Sequence, residues 1–322
     1  SLVDNVMVAQ RAPQLSFVSP PTPENNTVQH SRAVHAKVNT KTPALDSFTW
    51  RLGGNYSFYD SSLALMYNLD NNALFGENST RAVDFSRGGN NGTINSGAFI
   101  VAGAHGGAYN FTSGSITVQN AASLNPEYIS VEAWVYPRTM PSRATIMAKT
   151  SGPTWDDGYG LANNYDGSIH FFINNWGYNA AGQAPLWQWS HAVGTYDGEE
   201  IRLYINGNLA QAYPYTGSIS HSNGPLFLAK GAANDYYWNG SIDEVKLYGR
   251  ALSAEEVRVH YFAYMYKSAA DQWVFDANSE LGFGNYQYYA NATDMNGFSG
   301  ESPRYNITLV PNYANLSLFL NG

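Results

Sequence analysis

The sequence predicts an all-β chain in which one strand sandwich interrupts another, with one short helix. Three observations carry that expectation. Among 322 residues, 24 Tyr, 8 Trp, 30 Gly and 33 Asn stand against 17 Lys plus Arg, a mixture that suits strands and tight turns and disfavours helices. Short alternating runs of apolar and polar residues are punctuated by Gly, Asn, Asp and Pro at close spacing, the pattern of sandwiches and jelly rolls. The strands before residue 60 and those after residue 262 each supply about half of a sandwich of roughly 100 residues. The stretch between them therefore reads as an insertion at a loop tip.

The first strands are "QLSFV", "RAVHAKVN", "DSFTWRL" and "NYSFYD", with "SPPTPENN" as a proline-rich turn after the first. Val34, Ala36 and Val38 share one face of the second, and Phe48 and Trp50 share one face of the third. The inserted stretch carries "EYISVEAWVYP", "SIHFFINN", "WQWSHAVGTYDG" and "EIRLYINGNLAQAY" as its clearest strands. Within it, Asn206-Gly207 supplies the positive-φ pair of a two-residue hairpin turn. The single helix is expected to start at Ser253, whose hydroxyl can cap the N–H of Glu256 while Glu256 reaches back. In "GNYQYYANATDMNG", Tyr286, Tyr288 and Ala290 share one face, while Gln287, Tyr289 and Asn291 take the other and point outward. Trp50 and Tyr286 are expected in one core. The expected division is 13–61 and 263–310 for the interrupted sandwich and 62–262 for the insert. Residues 1–12 are read as a possible donor strand, and 311–322 as a C-terminal segment or the start of a further module.

Composition also excludes. The formal net charge is -8 and no basic run is interleaved with aromatics, so nucleic acid is not an expected partner. There is no cysteine, which removes disulfides, thiolate metal sites and cysteine nucleophiles. No apolar run reaches the length of a membrane span, and Ser1 does not begin a signal segment. Asn-x-Ser/Thr sequons occur at Asn25, Asn55, Asn78, Asn91, Asn110, Asn239, Asn291, Asn306 and Asn315, about twice the roughly 4.7 that composition alone would place. The excess points to an exported glycoprotein, although Asn-rich turns select the same residues.

The candidate chemistry is sparse. "NGSIDEVKLYGRALSAEEVRVHY" sets Asp243 beside Glu244 at the start of a strand. Adjacent strand residues point to opposite faces, so these two are not expected to form a catalytic pair. The seven histidines show no His-Glu-x-x-His spacing and Gly-x-Ser-x-Gly is absent, and His191 reads as a packed structural side chain. Trp176 and Tyr178 in "NNWGYN", and Tyr237 and Trp238 in "NDYYWNG", combine rings with amides in loop positions. Sugars present apolar C–H faces ringed by hydroxyls and need that mixture. The other reading is that Trp176 and Trp238 plug the ends of the sandwich.

Four phrases in order, "DFSRGGNNGTI" (84–94), "SVEAWVYP" (130–137), "WSHAVGTYDGEEIRLYINGNL" (189–209) and "WNGSIDEVKLYGRALSAEEV" (238–257), resemble the laminin-G-like, concanavalin A-like lectin/glucanase superfamily. The flanking "SFVSPPTPENNTV", "LDSFTW" and "GNYQYYANATDMNG" resemble immunoglobulin-like modules of archaeal cell-surface proteins. The resemblance implies a laminin-G-like jelly roll inserted into a discontinuous immunoglobulin-like sandwich. It also implies a structural Ca²⁺, with Asp243 as one ligand and Asp84 and carbonyls near Gly89 to Asn91 as partners. Where relatives often read "FDGxxDYV", this chain has "NFTSGSITV" at 110–118, so any ligand drawn from that Asp is missing. The expected function is a non-catalytic extracellular structural or adhesive subunit of a cell-surface filament or layer, displaying a lectin-like domain to glycans or proteins. The alternative is a carbohydrate-active enzyme, of glycoside hydrolase type, that uses the jelly roll. The terminal segments "SLVDNVMVAQ" and "ANLSLFLNG" suggest copies of the chain as partners, joined head to tail by strand donation.

Overall fold

The structure, a computed structural model, describes residues 12–95, 99–139, 143–152, 154–233 and 235–312. The chain divides into two compact units, residues up to 58 with those from 262 onward, and residues 59–261. Both are β-sandwiches, and the described residues hold one α-helix, Ala254–Phe262.

In the first unit a four-stranded antiparallel sheet runs Gln14–Phe17, Ala33–Lys41, Gln272–Glu280, Ala263–Ala269. A six-stranded sheet runs Thr27–Gln29, Tyr305–Leu309, Gly284–Asp294, Leu45–Leu52, Asn55–Tyr59, with Ser299–Glu301 also paired to Gly284–Asp294. Each sheet contains strands from both ends of the sequence, so neither sheet exists without both. Alternation sends Val34, Ala36, Val38, Phe48 and Trp50 inward. Phe275 of the four-stranded sheet meets Phe48, Trp50 and Phe58 of the other at ring-centre distances of 5.0, 5.2 and 4.7 Å. Each fully buried side chain of this size contributes about 1.5–3 kcal/mol. The expected core tyrosine is corrected by one step along its face. Tyr288 is buried, whereas Tyr286 is half-exposed and donates its hydroxyl to the Gly282 carbonyl.

The second unit is a jelly-roll sandwich of two large sheets. One runs Asn208–Pro214, Glu200–Ile205, Ser190–Tyr196, Ile129–Pro137, Gly240–Tyr248, Gly107–Phe111, Phe99–Ala102, with Leu63–Tyr67 paired to Gly240–Tyr248. The other runs Asn175–Gln183, Ser168–Ile173, Tyr159–Asn163, Ala144–Lys149, Leu226–Leu228, Ile116–Val118, Gly92–Ile94, Arg81–Ala82. Val131, Ala133 and Val135 of the first sheet share one core with Leu161, Ile169, Phe171 and Ile173 of the second. The sheets approach so closely that a Cβ on Gly194 would lie 2.0 Å from Cγ of Phe171. Asn206 and Gly207 have φ of 50° and 74° and join the strands that pair Ile205 with Asn208, as their sequence requires. The helix start carries its reciprocal cap: the Glu256 N–H donates to Ser253 Oγ at 3.2 Å and the Ser253 N–H to Glu256 Oε2 at 2.9 Å.

Candidate functional site

Strand Gly240–Tyr248 pairs with Ile129–Pro137, but the register slips: Glu132 faces Lys246 while Trp134 faces Asp243. Three steps on one strand oppose two on the other, a β-bulge, and Glu244 adopts φ 47° to make it. Ile242 and Val245 consequently both enter the core, and Asp243 and Glu244 both leave it on the same side. This corrects the expectation of opposite faces, which holds only for unbroken alternation. The pair still faces no cleft, since Asp243 is 0% and Glu244 1% exposed.

Around them lies a buried ionic network. Glu132 accepts from Lys246 Nζ at 3.0 Å, from His260 Nδ1 at 2.8 Å and pairs with His191 Nε2 at 3.3 Å. Burial works against its charge, yet Lys246 and His260 hold its carboxyl well below the usual range. His191 also packs its ring 5.2 Å from that of Trp134, a structural role. Glu244 accepts from Asn68 Nδ2 at 2.9 Å, and burial pushes it up to about 7 despite Lys246 at 3.6 Å. Burial, then the charge of Glu244, raises Asp243 well above the ordinary value, although it accepts the N–H groups of His105 and Glu244. Asp70 is likewise raised by burial, against the N–H of Gly107 at 2.6 Å. Its charge adds to the load on both Asp243 and Glu244.

The acids around Asp243 are thus under-compensated, which is what a hard divalent cation relieves. Among the described residues no three His, Asp or Glu side chains converge as a metal cage, so a cation here would draw on backbone carbonyls as well. Asp84, Gly89 and Asn91 form a different arrangement. The Asp84 carboxylate accepts from the N–H groups of Met66, Ser86 and Asn90 and from the Ser86 hydroxyl. Asn91 Oδ1 accepts the Asp84 N–H, and the Gly89 carbonyl accepts the Asn91 N–H. The acid that the fold brings beside Asp243 is Asp70, whose only sequence signal is its place just after a strand in "YNLDNN".

The aromatic candidates separate. Trp238 is 0% exposed and belongs to the main core. It cannot present a face to a ligand, which corrects its assignment as a binding residue in favour of the plug. Tyr237 and Tyr178 are 39% and 42% exposed, and Tyr178 stacks on Tyr215 at 4.7 Å. Trp176 is half-buried in an aromatic cluster outside the main core, built by Ala148, Trp155, Ala162 and Phe172 with Trp176 and Tyr236 packed on it. Alternation explains its place: Phe171 and Ile173 point into the sandwich, so Phe172 between them points out. Trp155 and Tyr236 hold φ of 51° and 50°, a region bulky side chains rarely adopt. Their rings lie 4.9 Å apart, and that of Trp155 lies 4.8 Å from Trp176. The Arg143 guanidinium sits 4.5 Å over the Trp176 ring and His170 stacks on it at 4.9 Å. Amides border the cluster: Asn179 bonds His170 at 2.7 Å and Asn175 bonds Asp156 at 3.1 Å. Trp155, Phe172, Tyr236 and Arg143 were not legible as a group, because they come from separate strands and loops.

Of the sequons, Asn25, Asn55, Asn78, Asn91 and Asn306 are exposed, and Asn239 and Asn291 half-buried. Asn110 is fully buried, accepting the Ser241 hydroxyl, so the folded chain offers no acceptor there. Asn315 lies outside the described residues.

The described residues thus form an all-β chain with one helix, whose second unit is a jelly-roll sandwich with an aromatic cluster outside its main core. A laminin-G-type family model, described as the concanavalin A-like lectin/glucanases superfamily, matches residues 106–258. The human adhesion G-protein coupled receptor D1 is 29% identical over 111 residues, which are 32% of this chain and 13% of the receptor. The chain therefore spans a small part of that relative. Domain 4 of AbnA, a GH43 extracellular arabinanase from Geobacillus stearothermophilus, determined in complex with arabinotriose, is similar over 61% of this chain and 97% of that one. The TM-score is 0.51 at 21% identity. Trypanosoma rangeli sialidase is similar over 64% of this chain and 33% of its own, with a TM-score of 0.50 and 17% identity. These two likenesses concern the fold.

Proposed function

We propose that the chain is a non-catalytic binding module of an extracellular adhesive or structural protein, and that the jelly roll holds glycans on the aromatic surface around Trp176. The observation that carries this reading is the pair of half-buried rings Trp176 and Tyr236 outside the main core, seated on the buried rings of Trp155 and Phe172 and bordered by Arg143, His170, Asn175 and Asn179. An apolar floor with a rim of donors and acceptors matches the two surfaces of a sugar. The family match and the likeness to an adhesion receptor support binding at the cell exterior, and no described helix is long and apolar enough to cross a membrane. The arabinotriose bound by the arabinanase domain supports an oligosaccharide as ligand class. Assembly of copies into a filament or layer by strand donation extends the reading; the donor segments lie outside the described residues.

A structural Ca²⁺ belongs to the same proposal, held by Asp243 and Asp70 with neighbouring carbonyls. Asp84 fits it less well, because four protein donors already occupy its carboxylate. Bound there, the ion would neutralise acids that burial leaves exposed to one another.

The test is a glycan array followed by calorimetry on the best hit. Trp176→Ala should weaken binding about tenfold or more, equivalent to about 1.4 kcal/mol, with the melting temperature of the main core little changed. Binding unaffected by Trp176→Ala, or turnover of β-glucans in a reducing-sugar assay that is lost in Glu244→Gln, would reject the reading.

A further inference from the structure

We propose that the outer face of the six-stranded sheet carries N-linked glycans, and that a glycan on Asn291 packs against the ring of Tyr289. The inference rests on the extracellular reading but concerns the other unit of the chain and needs no ligand on the jelly roll.

In that unit the described sequons are Asn25, Asn55, Asn291 and Asn306. Asn55, Asn291 and Asn306 lie in strands of the six-stranded sheet, and Asn25 is tied to it by accepting the Asn306 N–H at 2.8 Å. The four strands of the other sheet carry none. Turn preference does not explain Asn291 and Asn306, because Asn is depleted within strands. Burial alternates along the strand, with Tyr288, Ala290 and Ala292 buried, so Tyr289 and Asn291 face out. Among the described residues the Asn291 side-chain amide makes no hydrogen bond, and its nitrogen is free to be substituted. Asn110 marks the contrast, since the same motif there is sealed in a core.

Tyr289 precedes Asn291 by two residues, so both side chains leave the same face about 7 Å apart. The guanidinium groups of Arg304 and Arg51 lie over the Tyr289 ring, 4.3 and 5.5 Å from its centre. Glu301 anchors Arg304 through two bonds of 2.6 and 3.0 Å. The half-exposed remainder of the ring, for the apolar side of a sugar, and guanidinium donors for its hydroxyls therefore stand beside the acceptor amide. In the modification, Asn291 Nδ2 bonds to the anomeric carbon of an oligosaccharide carried on a lipid phosphate. The bond from that carbon to the phosphate oxygen breaks, the phosphate leaves with the electron pair, and the amide gives up one proton.

The chain is secreted from a host that N-glycosylates, and its glycopeptides are mapped by mass spectrometry. Glycan is expected on Asn291 and Asn306 and absent from Asn110; an unmodified Asn291 in folded, secreted protein overturns the proposal. Melting temperature is then compared before and after complete enzymatic deglycosylation for the wild type, Tyr289→Ala, Tyr289→Leu and Thr293→Ala. The last removes the acceptor motif and keeps Asn291. Deglycosylation should lower the wild-type value by a few degrees and leave Thr293→Ala nearly unmoved, with the Tyr289 variants close to Thr293→Ala. Equal losses in the wild type and in both Tyr289 variants would overturn the packing. Tyr289→Leu retains apolar area, so the comparison stands if Tyr289→Ala folds poorly. Glycan binding at the Trp176 surface, measured on the same samples, reports separately on the proposed function.

Discussion

At Glu132, one carboxylate with no solvent contact serves Lys246, His191 and His260 at once, and its neighbours Glu244, Asp243 and Asp70 titrate the opposite way. Glu132 is depressed in the folded state, so its contribution is fully present above the unfolded value and is lost as the pH falls below that value and through the folded one. Glu244 is raised to about 7, and Asp243 and Asp70 are raised as well. Their contribution is fully present below the unfolded carboxylate range and is lost as the pH rises through the folded values. In chelator, the melting temperature should therefore climb as the pH is lowered from about 8 to about 5.5, a window set by the Glu244 value. Glu244→Gln should flatten that slope. Added Ca²⁺ should raise the melting temperature most at the alkaline end, and Asp243→Ala should remove the calcium effect. Identical melting with and without chelator at every pH would remove calcium from the account. Asp243 was legible because its strand phrase is distinctive. Asp70 and Trp155 were not, since each acquires its meaning from residues distant in sequence.

Elements whose signals are local were readable. The Asn206-Gly207 turn and the Ser253–Glu256 cap follow from two and four consecutive residues, and the geometry at both agrees with them. Ser253→Ala should cost about 1 kcal/mol by leaving the Glu256 N–H without its cap, measurable as a lower denaturant midpoint at unchanged slope. An unchanged midpoint would mean that tertiary contacts, including Arg250 on Glu256 at 2.7 Å, position the helix alone. The bulge at Glu244 was not readable. Its cause is a register difference between two strands, and "SIDEVKLY" alternates well enough to hide one inserted step. Close approach of the sheets at Gly194 was hidden for the same reason: a strand glycine signals proximity without naming Phe171.

For the molecule as a whole, strand-rich composition predicted the β-sandwich class, and the four ordered phrases marked the jelly roll. Which aromatic rings would be core and which surface was not predictable: Trp238 and Trp176 both sit next to Asn in the sequence, yet Trp176 and Tyr178, expected in a loop, lie in the strand Asn175–Gln183, and Trp238 is covered by the core. Replacing residues 62–262 by a short Gly/Ser linker should leave a folded sandwich with Trp50 buried, seen as blue-shifted tryptophan emission and dispersed amide resonances. A product with the spectrum of an unfolded chain would refute independence of the first unit. Removing residues 1–10 should leave folded monomers if strand donation builds an assembly, and unchanged filaments by electron microscopy would exclude it. The nesting of one unit in the sequence of the other also has a mechanical side. Thr27–Gln29 and Tyr305–Leu309 pair in parallel, so once Gln14–Phe17 has been drawn off its sheet, tension before the first and after the second loads their hydrogen bonds in shear, all together rather than one by one. The jelly roll enters and leaves through that same sandwich and stands outside the line of tension until the host gives way. A pulled molecule should therefore lengthen in two ordered steps, host first, with the jelly roll unstretched until the second.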